Sequence, residues 1–105
     1  MAKFMYKISY TPEGLAGTVQ EGFAARREYL TKLSAEMGVT LEAAYWALGQ
    51  DDAYIIMDGD QENVVAGALM AGMSGTGSIT TVALLTAEEM DAARGNIPAY
   101  RKPGT

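Results

Sequence analysis

The 105 residues contain no histidine and no cysteine. Histidine is the usual general base near neutral pH and the commonest metal ligand. Catalysis here would have to use carboxylates, tyrosines, lysines or arginines, or merely confine a substrate that reacts by itself. The lack of cysteine removes disulfides, a thiolate nucleophile and Cys-ligated zinc or iron–sulfur clusters. Positive charge is scarce as well: eight Lys and Arg stand against thirteen Asp and Glu, a formal net charge of −5. The cations are scattered apart from Arg26-Arg27 and Arg101-Lys102. No basic stripe exists to neutralise phosphates, which disfavours a nucleic-acid role. Long hydrophobic runs are missing too, being broken by Glu42, Asp51 or Thr80, so no membrane span is expected. No charged, hydrophobic leader with a cleavage site is read ahead of the first strand. A soluble, cytoplasmic protein without a cofactor is the expectation.

What is present suits one domain with a real core, since 49% of the residues are hydrophobic. Lys3 to Tyr10 alternates Phe4, Tyr6, Ile8 and Tyr10 against Met5, Lys7 and Ser9, the period of a strand. Thr11-Pro12-Glu13 supplies an N-cap, a proline at the first helical position and an acid in the first turn. Leu15, Val19, Phe23, Leu30, Leu33 and Met37 then recur at helical spacing up to Gly38, a C′ glycine, which predicts one long helix. Thr40 to Leu48 and Ala53 to Met57 read as a hairpin around Gly49-Gln50-Asp51-Asp52. Asp60 caps a second helix through Ser74, whose Ala66, Gly67, Ala68, Ala71 and Gly72 permit close packing on a sheet. Gly75-Thr76-Gly77 breaks it, and Ser78 to Leu85 is the fourth strand. Thr86-Ala87-Glu88-Glu89 matches a capping box opening a short last helix to Arg94. The reading is an α+β sandwich with β-α-β-β-α-β order over residues 1–94, followed by an extended tail, 95–105, holding Pro98 and Pro103.

Both faces of the second strand are apolar: Ala44, Trp46 and Leu48 on one side, Leu41, Ala43, Tyr45 and Ala47 on the other. A sheet face too apolar to be left wet marks an interface. Two sheets are therefore expected to pack face to face in a homodimer, with helices outside and a shared barrel-like interior.

The same order gathers Tyr10, Thr11, Gly14, Gly49 to Asp52 and Gly75 to Ser78 at one end of the sheet. Free N–H groups of the first helix there suit an anionic ligand. Arg26 falls at the centre of the long helix's apolar stripe. A buried guanidinium is costly unless paired. It would serve either as a fixed cation for a ligand carboxylate or enolate, or as a structural ion pair whose loss costs about 3–5 kcal/mol. Tyr45 and Trp46 line a cavity or belong to the core. Asp51, Asp52, Asp58, Asp60 and Glu62 offer hard oxygen ligands, but topology separates Asp51-Asp52 from Asp60, and no metal site is expected. Gly75-Thr76-Gly77-Ser78 leads from helix to strand, the wrong polarity for a phosphate loop.

Tyr10-Thr11-Pro12-Glu13-Gly14, Arg26, Gly49-Gln50-Asp51-Asp52, Asp60, Gly77-Ser78-Ile79-Thr80-Thr81 with Leu85-Thr86, and the closing Tyr100-Arg101-Lys102-Pro103-Gly104 resemble the GYD-domain family in order and spacing. The signature itself departs: the tyrosine position of Gly-x-Tyr-Asp holds Asp51, while Gly49 and Asp52 carry over, and Gly59 replaces a proline before Asp60. The resemblance implies a ferredoxin-like fold of the dimeric α/β-barrel kind. It supplies no reaction, since the family has no generally established activity, and related barrels include both cofactor-independent enzymes and non-catalytic proteins.

The expectation is a small, anionic or aromatic metabolite held in a barrel pocket at the Tyr10 end. Arg26 would hold the anion, Asp52 or a tyrosine (Tyr10, Tyr45) would move a proton, and Thr11, Gly49, Tyr45 and Trp46 would complete the binding set. Asp51 is expected to be solvated. A non-catalytic regulatory binder and a structural oligomer with a filled interior are the alternatives.

Overall fold

A computed structural model describes residues 2–105. Its elements are β1 (Ala2–Tyr10), α1 (Pro12–Glu21), α2 (Phe23–Glu36), β2 (Thr40–Trp46), β3 (Ala53–Gly59), α3 (Gln61–Met73), β4 (Gly77–Leu84) and α4 (Ala87–Arg94). The strands form one antiparallel sheet in the order β2-β3-β1-β4. With α1 and α2 counted together, this is the ferredoxin-like arrangement.

The expected single long helix is two helices. Gly22 sits between them at φ 98°, ψ 141°, a conformation open to glycine and strained for side chains. Its N–H closes α1 on the Thr18 carbonyl, and its own carbonyl receives the N–H of Arg26 to start α2. The apolar spacing runs on across the break, but the two helices do not share one wheel: α2 sets Leu30 against the core, whereas α1 buries Gly14 and Thr18 and leaves Leu15 and Val19 exposed.

A second departure lies in β2. Its register against β3 shifts between Leu41 and Ala43, so Glu42 is an extra residue in a bulge. Leu41 and Ala44 both pack on the core, whereas strict alternation had put Leu41 with Ala43 and Tyr45. The strand also stops at Trp46, short of Leu48, which is fully exposed.

The core lies between the central strands and the helices. Phe4 from β1, Ile55 and Met57 from β3, Val39 and Val64 are buried, with Tyr6, Ile8, Leu30 and Met37 packed around them. Burying about 25 cal/mol per Å² of such apolar surface is the main driving force. The Tyr6 hydroxyl donates to the Val64 carbonyl of α3, tying helix to sheet, and burial raises the phenol's pKa. Tyr6→Phe should cost about 1 kcal/mol in a urea melt; an unchanged midpoint would show that this bond contributes nothing in solution.

The other sheet face carries no helix. Lys3 reaches across it to Glu42 at 2.6 Å and Asp58 at 3.2 Å. Hydrogen bonding with Glu42, then with Lys3, holds the Asp58 carboxyl below its ordinary 3.8. Hydrogen bonds to Glu42, then Asp58, raise Lys3 above its ordinary 10.5. By linkage, the Asp58 contribution to stability is present above its unfolded value and is lost as pH falls through its lowered folded value. The Lys3 contribution is fully present below its unfolded value and is lost as pH rises through its raised folded value. Melting temperature should therefore be flat across neutral pH and fall at both extremes, and Lys3→Met should shrink the alkaline fall. Identical alkaline limbs in the two proteins would count against the Lys3 contribution.

Candidate functional site

Strand order sets the geometry of the cleft. Helix α2 packs over the edge strand β2, and α3 packs over β4 and β1, so the two stand apart above the middle of the sheet. Between them lies a cavity of about 110 Å³ floored by Tyr6, Ile8, Ile55 and Met57. Its α2 wall is Arg26, Leu30, Leu33, Ser34 and Met37; its α3 wall is Asn63, Gly67, Met70 and Ala71. Both walls follow the i, i+4, i+7, i+8 spacing of one helical face. Gly67 is needed there, because a Cβ would come within 2.7 Å of the Tyr6 hydroxyl oxygen.

The lining is apolar along its length and polar at its ends. Arg26, Tyr10 and Thr76 stand at the end where β1 stops and β4 begins; Ser34 and Asn63 stand at the other. The cleft thus runs the length of the sheet instead of opening only at the Tyr10 end. It also lies on the helix side of the sheet, not in the interior expected on the opposite face.

Tyr10 is held by two contacts. Its backbone N–H donates to the Asp52 carboxylate at 2.7 Å, and its hydroxyl oxygen accepts from Trp46 Nε1 at 2.9 Å. The phenolic proton remains available to donate. Trp46 meets the edge of Phe23 at 5.3 Å between centroids, and Phe23 opens α2 one turn before Arg26. The run Tyr10–Trp46–Phe23 thereby fixes the start of α2, and so Arg26, at the Tyr10 end.

Arg26 is not the buried cation that the continuous helical wheel implied. Its side chain keeps 37% of its exposure, its guanidinium lies 3.6 Å from Glu21, and it stacks over the Tyr29 ring at 5.1 Å. A half-exposed pair of this kind is worth about 0–1 kcal/mol, little enough for a ligand carboxylate to displace it.

The remaining residues singled out in the sequence are dispersed. The Thr11 hydroxyl caps α1 by accepting from Gly14 N–H and donates to the Gly75 carbonyl, while its N–H reaches Thr76. Gly49 is exposed in the hairpin turn. Tyr45 points to the open face and is largely exposed. Asp52 bonds to Tyr10 of the neighbouring strand, its own N–H donates to Ile8, and its carbonyl receives Ala47 N–H; it does not line the cleft. Asp51 is not simply solvated: it accepts from Ser9 at 3.2 Å and Tyr54 at 3.4 Å, with Lys7 at 3.7 Å. Thr76 lies in the Gly75–Ser78 segment expected at the Tyr10 end, whereas Ser34 and Asn63 carried no expectation, although a lone polar residue heading an apolar helical face, as Asn63 does before Gly67 and Met70, was a visible signal.

A family model, GYD domain, matches residues 4–93. The chain belongs to the GYD domain family. No curated protein and no solved structure matches it. In this GYD domain the signature turn Gly49–Asp52 has a structural task, since Asp52 joins the hairpin to the end of β1 and thereby positions Tyr10. The acid at the variant position, Asp51, stands on the open face beside Lys7, away from the cleft. Among the described residues no helix is long and apolar enough to cross a membrane.

Proposed function

We propose that this GYD domain binds a small monocarboxylate with an aromatic or compact apolar body in the cleft between α2 and α3. The observation that carries the reading is an apolar cavity with one cation, Arg26, and one free phenolic donor, Tyr10, at the same end. Arg26 would take the carboxylate, Tyr10 would add a hydrogen bond, and the ring would lie over Ile8 and Ile55. At about 110 Å³ the cavity is smaller than the roughly 150 Å³ apolar cavity that accepts benzene, so it takes at most a single ring, with the carboxylate outside the enclosed volume at the half-exposed Arg26.

The site supports binding better than turnover. Of the three groups considered for moving a proton, Asp52 is occupied by a backbone N–H and Tyr45 faces away; Tyr10 alone lines the cleft. A homodimer joined through the open sheet face, with Met5, Ile56 and Val82 between the two copies, belongs to the same reading.

Trp46 is the only tryptophan and bonds to a residue of the cleft, so its fluorescence reports occupancy. Titration with benzoate, phenylacetate and toluene should give saturable changes for the acids and weaker binding for toluene. Native mass spectrometry of the purified protein should show a retained small acid. No saturable change with any of the three, together with no retained ligand, would leave the structural-oligomer reading in its place.

A further inference from the structure

Six polar side chains line the cleft, and four of them are engaged. The Tyr6 hydroxyl donates to Val64, the Tyr10 hydroxyl accepts from Trp46, Thr76 pairs with Ser74, and Arg26 faces Glu21. The other two, Ser34 and Asn63, have no hydrogen-bond partner for their side chains among the described residues, and both are only half-buried. Three Ser or Thr residues lie inside the helices. Thr18 and Thr31 turn back to the carbonyl four residues earlier, at 2.8 Å each, the ordinary arrangement for a helical hydroxyl. Ser34 does not, and its hydroxyl is left to the cleft beside Leu30, Leu33 and Met37. The Asn63 amide nitrogen lies 3.5 Å from where a Cβ on Gly38 would stand. That sets the amide against the turn after α2, at the same end as Ser34.

We propose that Ser34 and Asn63 form a second polar subsite, which selects a ligand bearing an uncharged hydroxyl para to its carboxylate. The inference rests on the cleft taking a carboxylate at Arg26, and it names what the far end of that ligand carries. A serine hydroxyl and an asparagine amide each offer both donor and acceptor, so the pair can take the proton of a hydroxyl and supply one to its oxygen. Arg26 is the only charged residue of the lining. Nothing at the far end would therefore neutralise a second carboxylate or an ammonium group, and burying either unpaired is costly. Length points to the para position. Arg26 and Ser34 lie eight residues apart on α2, a rise of about 12 Å. A 4-hydroxybenzoate measures roughly 6 Å between its carboxylate and hydroxyl oxygens, and a hydrogen bond of about 2.8 Å at each end brings the span to about 12 Å. Benzoate held at Arg26 stops short and leaves Ser34 and Asn63 facing a ring edge.

Isothermal titration calorimetry with benzoate, 4-hydroxybenzoate, 3-hydroxybenzoate and 4-methylbenzoate tests the subsite. 4-Hydroxybenzoate should bind about tenfold more tightly than benzoate, as one or two net hydrogen bonds provide. The 4-methyl compound has the same shape without the hydrogen bonds, and 3-hydroxybenzoate carries its hydroxyl off the axis; neither should show the gain. Ser34→Ala and Asn63→Leu should each narrow the ratio of the two affinities, and together bring it close to one. The ratio cancels any general effect of a substitution on the cleft, and Ser34→Ala, which favours the helix, gives a reading even if the other variant folds poorly. Equal binding of benzoate and 4-hydroxybenzoate would overturn the subsite while leaving the carboxylate site at Arg26 standing. A gain shared by 4-methylbenzoate, or one that survives both substitutions, would overturn it as well. If none of the four acids binds, both inferences fall.

Discussion

Gly14→Ala is expected to be the most damaging single substitution at the Tyr10 end. A Cβ on Gly14 would lie 1.8 Å from the Thr76 carbonyl oxygen and 2.7 Å from its carbon. Both are backbone atoms, so no side chain can turn aside. The first turn of α1 and the α3–β4 loop would have to separate by more than an ångström. That breaks Thr11 N–H to Thr76 and the Thr11 hydroxyl to Gly75, both near 3 Å. Overpacking costs about 1–3 kcal/mol and each of the two lost hydrogen bonds about 1 kcal/mol, together about 3–5 kcal/mol. At about 4–8 °C per kcal/mol for a domain of this size, the melting temperature should fall by at least about 12 °C. A drop of less than about 3 °C would show that the close approach is not present in solution. Thr76 also lines the cleft, so a folded remnant of the variant should bind carboxylates more weakly.

Arg26→Gln separates the ligand role from the structural one. With the half-exposed Glu21 pair and the stacking on Tyr29 to lose, the empty protein should change by less than about 2 kcal/mol. A loss of the 3–5 kcal/mol expected for breaking a buried pair is not foreseen. Benzoate affinity should drop about 10- to 150-fold, because a hydrogen bond to a charged group contributes about 1.5–3 kcal/mol and each 1.4 kcal/mol is a factor of ten. Toluene, which offers no carboxylate, should be unaffected. Equal losses for benzoate and toluene would mean that Arg26 shapes the cleft without pairing with an anion, and a large loss of stability would mean that it is structural. The single tryptophan gives both readings in one titration and one urea melt.

Element order and identity were legible in the sequence because each had a local cause. Period-two alternation gave β1, Thr11-Pro12 and Thr86 with Glu89 gave two helix starts, and glycines marked the turn before β2, the β2–β3 hairpin and the loop before β4. The same local cues gave Arg26 and Tyr10, which the structure brings to one end of the cleft. What the sequence could not give was anything that depends on a neighbour. Gly22 lies inside a run of helical apolar spacing, and only its backbone conformation divides the helix and takes Arg26 out of the expected stripe. The bulge at Glu42 is invisible to alternation, because one extra residue swaps the faces of everything beyond it. Asp52 offered the chemistry of a general base, yet a carboxylate bonds whichever donor the fold presents, and the fold presents the N–H of Tyr10. The cleft arises because strand order puts β2 and β4 at opposite edges, so the helices above them cannot meet. Residue chemistry and local periodicity were fixed by the chain alone; which side chains share a space was decided by the separation of those two edges, a distance set by strand pairing across the whole sheet.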